Sequence, residues 1–138
     1  MDLKSMIVAE FSKTVTKAIT TFAQSEKTTT DKIQLSLGLA GDYTPKFHLY
    51  KEYQPVRALT ILEVLCVKID FHGKGDMINA FLPKVLISII EAKGLTVDRM
   101  RIMCILASGK VVLYIMDGST NLGRANLEDY INEADFMP

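Results

Sequence analysis

The stretch from Met100 to Asp117 constrains the fold more than any other, because it carries two apolar runs on either side of Ser108-Gly109. A two-residue connection containing glycine is typical of the turn that closes a β-hairpin. That turn would place Ala107 opposite Lys110 and so fix the rest of the pairing. One face of the predicted hairpin then carries Ile102, Cys104, Leu106, Val111, Leu113 and Ile115, and the other carries Arg101, Met103, Ile105, Val112, Tyr114 and Met116. Because both faces are mainly apolar, we expect something to cover each of them.

Apolar residues from Leu3 to Phe22 recur at spacings of three and four, which predicts an amphipathic helix of about twenty residues. Alternation predicts a strand over 33–39, a turn over 41–45 and a second strand over 47–52 that Pro55 ends. The apolar residues of 56–71 are spaced so that they would share one face of a helix, but the β-branched residues of this stretch favour a strand over 60–71. Both interpretations stay open.

The second half of the chain predicts a turn at His72–Gly75 and then a helix that Asp76 caps and Gly94 ends, with Pro83 inside it. After the hairpin we expect a loop over 118–123 and a short final helix over 126–134. The predicted order is therefore α-β-β-β-α-β-β-α. This order indicates a single α+β domain over 1–138, with an antiparallel sheet of about five strands, two long helices and a short C-terminal helix.

The balance of charges narrows the range of functions. Lysine plus arginine equals aspartate plus glutamate, at 16 each, so the chain has no overall attraction for nucleic acid or an anionic membrane. No apolar run approaches the roughly 20 residues that span a bilayer, and no signal peptide is apparent at the N-terminus. Cys66 and Cys104 lie in apolar runs, which predicts buried thiols and a cytoplasmic location.

The densest polar cluster is 70–76, where Asp70, His72 and Asp76 are possible metal ligands and Lys74 follows a glycine. A solvated turn with a helix cap explains the cluster more simply, and no complete phosphate-binding motif is present. We therefore assign no metal, no cofactor and no catalytic residue. An enzyme with a dispersed site remains an alternative.

A second alternative is a nucleic-acid or nucleotide binder. Basic and aromatic residues alternate along the second strand, and a basic residue also stands in the predicted turn before the second helix. The candidate residues are Lys46, His48, Tyr50, Lys51, Arg57 and Lys74. The same pattern is also typical of the polar face of an edge strand.

The interpretation we favour is a non-enzymatic binding protein, such as an adaptor, inhibitor or chaperone, that forms a homodimer. Its partner would contact Arg101, Met103, Tyr114 and Met116, because methionine adapts to irregular surfaces and tyrosine and arginine are enriched at binding hot spots. The order of elements is similar to that of the small secretion chaperones of type III systems. That resemblance implies a dimer that holds partly unfolded proteins on a mixed apolar surface. The prediction depends on whether both helices pack on the same face of the hairpin.

Overall fold

A computed structural model describes the backbone of residues 3–60 and 74–132 and the side chains of 4–60 and 82–132. Two helices and six strands make up the described chain, together with 3-10 turns at Thr30–Lys32 and Leu127–Tyr130. The elements are α1 (Leu3–Ser25), β1 (Ile33–Leu39), β2 (Pro45–Lys51), β3 (Gln54–Leu59), α2 (Lys74–Lys93), β4 (Met100–Ala107), β5 (Lys110–Asp117) and β6 (Thr120–Ala125). The predicted α+β class is confirmed.

The six strands form one antiparallel sheet in the order β3-β2-β1-β4-β5-β6. The predicted hairpin is confirmed in its register, since Ala107 pairs with Lys110 and Ile102 pairs with Ile115. Ser108 and Gly109 have φ angles of 52° and 77°, the left-handed pair that a tight two-residue turn requires. The central strand β1 pairs with β2 on one side and with β4 on the other, so β4 returns to the middle of the sheet after α2.

Both helices pack on the same side of the sheet. α1 contacts β1, β4 and β5, and α2 contacts β1 and β2. The main core therefore joins one stripe of each helix to the residues of the strands that point towards them, which are buried to 0–8% exposure. The strand residues in this core are Ile33, Leu35, Leu37, Leu39, Phe47, Leu49, Leu59, Met100, Ile102, Cys104, Leu113 and Ile115. Alternate residues of the same strands point to the other side.

The sequence predicts the C-terminal end of α2 correctly, but not its N-terminal end. Gly94 has a φ of +65°, and the Leu95 amide donates to the Ile90 carbonyl over 3.0 Å, so glycine ends the helix as predicted. The helix begins at Lys74 and not at a cap formed by Asp76, which lies inside the first turn. Within the described residues, neither helix has both the length and the apolarity needed to cross a membrane.

Three predicted elements differ from the structure. The strand after β2 begins at Gln54 and ends at Leu59, and most of the predicted strand over 60–71 lies outside the described residues. The predicted loop over 118–123 contains most of β6, so the described sheet has six strands and not five. The final helix is a single 3-10 turn at Leu127–Tyr130, where the Asn126 side chain accepts a hydrogen bond from the Glu128 amide.

Candidate interaction surface

The side of the sheet that faces away from α1 and α2 is here called the open face. Strand alternation and register define it across the four central strands. Its residues are Gln34, Ser36 and Gly38 of β1, Lys46, His48 and Tyr50 of β2, Arg101, Met103 and Ile105 of β4, and Val112, Tyr114 and Met116 of β5. No described helix covers this face, which is therefore the molecule's main candidate for a binding surface.

Two adjoining hollows lie on the open face. One has a volume of about 310 Å³ and is lined by Tyr53, Met103, Tyr114, Met116 and Asn121. The other has a volume of about 290 Å³ and is lined by Tyr50, Tyr53, Arg101, Met103, Met116, Gly118 and Ser119. We call them together the apolar hollow. The structure thus brings together the four residues predicted to contact a partner, namely Arg101, Met103, Tyr114 and Met116.

Tyr53 is a residue of the hollow that the sequence did not reveal. It occupies, with Glu52, a two-residue turn between β2 and β3 in which both residues have positive φ angles, 51° and 63°. Glycine or asparagine normally fills such positions, so neither residue signalled a turn. The Tyr53 amide donates to Gln34 Oε1 over 2.8 Å, which fixes the turn against β1. The tyrosine side chain remains 61% exposed, beside Met103 and Met116.

The floor of the open face is polar and buried. Gln34 and Ser36 of β1 are both 1% exposed, because larger side chains stand on either side of them. Two of these side chains connect β2 and β4 across β1, because Arg101 Nη1 donates a hydrogen bond to the Tyr50 hydroxyl over 2.6 Å. Ser36 Oγ is buried without a hydrogen-bond partner in the described structure. Such a group carries a desolvation cost that no contact offsets.

One end of the open face is cationic and lies around Gly38. The side chains of Lys46 and Arg101 flank this glycine, since a Cβ at position 38 would lie 3.5 Å from Lys46 Cε and 3.5 Å from Arg101 Cγ. His48 lies next to them on β2. Partial burial, followed by the positive charges of Lys46 and Arg101, holds the pKa of His48 below its ordinary value. We call Lys46, His48 and Arg101 the cationic end.

The cationic end has little compensating negative charge. Neither Lys46 nor Arg101 forms an ion pair with a carboxylate of the described residues. The exposed carboxyl of Asp98 has a lowered pKa, mainly because the Thr96 side chain donates a hydrogen bond to it, and the charge of Lys46 adds a small effect in the same direction. Asp117 is occupied by Arg99, whose Nε lies 2.8 Å from Asp117 Oδ1.

This imbalance extends to the whole sheet. The six described strands contain a single carboxylate, Asp117, although the chain as a whole has no net charge. Their basic residues are Lys46, Lys51, Arg57, Arg101, Lys110 and Arg124. A chain that is neutral overall therefore presents a positively charged sheet.

The residues predicted for nucleic-acid binding do not form one group. Lys46, His48 and Tyr50 share the open face, but Lys51 and Arg57 pair with Ile33 and Leu49, which point towards the helices. Lys74 begins α2, and its side chain is outside the described ones. Successive side chains of a strand point to opposite faces of the sheet, and Lys51 and Arg57 point to the face opposite that of Lys46, His48 and Tyr50.

Other candidate sites are not supported by the described residues. Asp70, His72 and Cys66 lie outside them, and no group of three possible metal ligands occurs within them. Cys104 is a fully buried free thiol on the helix side, where burial raises its pKa, so it is unsuited to nucleophilic chemistry. A hollow of about 360 Å³ lies between α1 and the β5–β6 edge, near Val8, Phe11 and Leu127. It lacks the convergence of tyrosine, methionine and arginine that marks the open face.

Comparison of the chain with models of known protein families, with curated proteins and with solved structures finds no match. Function is therefore inferred from the geometry of the open face.

Proposed function

We propose that this chain is a small non-enzymatic binding protein, an adaptor, inhibitor or chaperone-like module, that holds a protein partner on its open face. The observation that carries the proposal is the packing of α1 and α2 on one side of the sheet. This arrangement leaves the apolar hollow without a helix above it among the described residues. A homodimer formed through the same face is one form of the proposal.

The composition of the hollow supports a protein partner. Tyrosine, methionine and arginine are enriched at protein–protein interfaces, and tyrosine contributes a large contact area at a low cost in conformational entropy. Tyr53 and Tyr114 line the same hollow as Met103 and Met116, whose unbranched side chains adapt to an irregular surface. Residues of this kind, grouped around one hollow, are suited to receive the apolar side chains of another chain.

A second candidate function, binding of nucleic acid or a nucleotide, is favoured by one observation. Lys46, His48 and Tyr50 lie on the same face, where a cationic group, an imidazole and an aromatic ring could contact a phosphate and a base. This second proposal is weakened because Lys51 and Arg57 point to the helix side and not to the open face. Binding of an oligonucleotide that weakens steeply with added salt would support it.

The protein-binding proposal is tested with two exposed tyrosines that are similar in backbone φ angle and in exposure but differ in position. Tyr43 and Tyr53 both have positive φ angles in turns, at 65° and 63°, and are 54% and 61% exposed, but only Tyr53 lines the hollow. The immobilised full chain is used to capture proteins from a cell extract, and recovery is measured by quantitative mass spectrometry. We expect Tyr53→Ala and Tyr114→Ala to reduce recovery at least tenfold, whereas Tyr43→Ala retains it.

Light scattering coupled to size exclusion gives the complementary measurement. The monomer mass is 15.4 kDa, so a homodimer is recognised by twice that value. Met103→Glu places a charge in the hollow and should return such a dimer to the monomer, while circular dichroism shows that the fold persists. Equal recovery by wild type, Tyr53→Ala and Tyr114→Ala, together with an unchanged mass for Met103→Glu, would contradict the proposal.

A further inference from the structure

We infer that the partner of the open face is a protein segment carrying a carboxylate and an apolar side chain on the same side, about 7 Å apart. The carboxylate would bind at the cationic end, and the apolar side chain would enter the apolar hollow. The inference rests on the proposed function, because it names the chemistry of the segment that the same face receives.

The guanidinium of Arg101 has unused hydrogen-bond donors on the open face. This group presents five N–H donors, of which the described structure uses one, from Nη1 to the Tyr50 hydroxyl. The side chain is partly buried, so an ion pair formed there is screened by water less than one at a fully exposed position. A carboxylate can accept two parallel hydrogen bonds from such a group. Arg101 is therefore the strongest candidate on the open face for binding an anion.

Gly38 lets a second basic side chain approach Arg101. Because this residue of β1 has no side chain, Lys46 and Arg101 approach one another across the strand from β2 and β4. A carboxylate above Gly38 would lie beside the side chains of both basic residues. No described residue of the open face carries a negative charge. Asp98, outside this face, stays ionised and compensates Lys46 only in part, through a small electrostatic contribution. We assign the charge that would compensate Arg101 to a partner.

The spacing between the carboxylate and the apolar side chain of the partner follows from the geometry of β4. Arg101 and Met103 are two residues apart on β4 and point to the same side, which separates their Cα atoms by about 7 Å at roughly 3.4 Å per residue. Both line the same hollow, together with Met116. An extended partner segment with an acidic residue at one position and an apolar residue two positions away reproduces this spacing.

A second copy of the chain is a poorer occupant. In a symmetric dimer the same face meets itself, so the Lys46 and Arg101 of each copy would face a surface whose outward positions hold no aspartate or glutamate. Such a contact brings like charges together without compensation. A partner of different sequence avoids this repulsion, and we therefore assign the open face to an acidic, apolar segment of another protein.

The inference is tested by selection from a phage-displayed library of random linear twelve-residue peptides on the immobilised full chain. Parallel selections use the double variant Lys46→Gln/Arg101→Gln, the variant Tyr114→Ala and the control Lys51→Gln, which removes a β2 cation that points to the helix side. We expect wild type and Lys51→Gln to enrich peptides with aspartate or glutamate two residues from leucine, isoleucine, phenylalanine or methionine. The double variant should retain the apolar preference and lose the acidic one.

The most enriched peptide is then synthesised with its acidic residue intact and with that residue replaced by the neutral amide, and both are titrated by fluorescence anisotropy. We expect the amide peptide to bind wild type at least tenfold more weakly than the acidic peptide. On the double variant the two affinities should agree within about twofold. If neutralising the peptide acid no longer matters once Lys46 and Arg101 are replaced, the acidic side chain and the cationic end interact directly.

The possible failures have different meanings. Apolar peptides enriched without an acidic preference would overturn the inference and leave the proposed function standing. A dimer that Met103→Glu dissociates, with no peptide enriched, would also overturn the inference while supporting binding through the open face. If wild type and Tyr114→Ala enrich the same peptides, or none, and the captured proteins are also unchanged by Tyr53→Ala, both the inference and the proposed function fail. Competition by an oligonucleotide for the selected peptide would assign the face to nucleic acid and overturn the inference.

Discussion

The two faces of the sheet are built from alternate residues of the same strands, yet they have opposite chemical character. The buried part of the helix side consists of aliphatic residues, phenylalanine and methionine with one cysteine, and its charged residues Lys51 and Arg57 lie outside this core. The open face combines tyrosine, methionine and arginine with buried polar groups at its centre. The helix side therefore forms the core of the fold, while the described helices leave the open face uncovered.

Neighbouring residues on β4 give the sharpest test of this comparison. Ile102 points into the core and is 0% exposed, whereas Met103 points to the open face beside the hollow and is 8% exposed. We expect Ile102→Ala to lower the free energy of unfolding by about 2–5 kcal/mol, because it leaves a closed cavity in the core. Met103→Ala should lower the free energy of unfolding by about half as much or less, since the space it leaves joins a hollow that is open to solvent. Urea denaturation measures both, and equal losses would contradict the division of the faces.

The parts of the fold that the sequence predicted well are those where alternation and turn chemistry agree. Ile102 to Ile115 alternate around Ser108-Gly109, so both the hairpin register and the composition of its faces could be derived. The edge strands β3 and β6 were harder, because one residue of β3 and none of β6 is buried. Without a buried face, a strand lacks the alternation that identifies it.

The candidate surface was predicted in part for a related reason. Arg101, Met103, Tyr114 and Met116 follow from the hairpin alone, because they share one face of it. Tyr53 does not, since its turn uses glutamate and tyrosine where glycine or asparagine is usual. The cationic end also required the structure, because Lys46 and Arg101 are brought together only when β1 pairs with both β2 and β4.

The floor of the open face gives a second pair of matched variants. Gln34 accepts a hydrogen bond from the Tyr53 amide, whereas the hydroxyl of Ser36 has no partner in the described structure. We expect Gln34→Ala to lower the free energy of unfolding by about 1–2 kcal/mol through loss of that bond and of packing. Ser36→Ala should raise it by about 1 kcal/mol, because it removes a buried hydroxyl without breaking a bond. A loss of stability in Ser36→Ala would show that the hydroxyl has a partner, which is best sought among bound waters.

The smallest expected effect concerns the charge of His48. The groups around this imidazole are Lys46 and Tyr50 on its own strand, Ser36 of β1, Ala58 of β3 and Arg101 of β4, so no carboxylate faces it in the described structure. Because the folded-state pKa lies below the ordinary value of 6.5, the unfolded chain takes up the proton first as the pH falls. This contribution to stability is therefore complete above about pH 6.5 and declines below it, until the folded protein is protonated as well.

Urea denaturation between pH 7.5 and 5 measures the effect by comparing wild type with His48→Gln, which should lose less stability over this range. Parallel curves would show that His48 senses neither burial nor the two cations. The same linkage gives the acidic segment a pH signature, because a carboxylate bound above Gly38 would favour the protonated imidazole and raise the pKa of His48. Affinity for the selected acidic peptide should then increase as the pH falls through the range where His48 titrates, while the peptide carboxylate is still ionised. His48→Gln should abolish that increase, and the amide peptide should never show it.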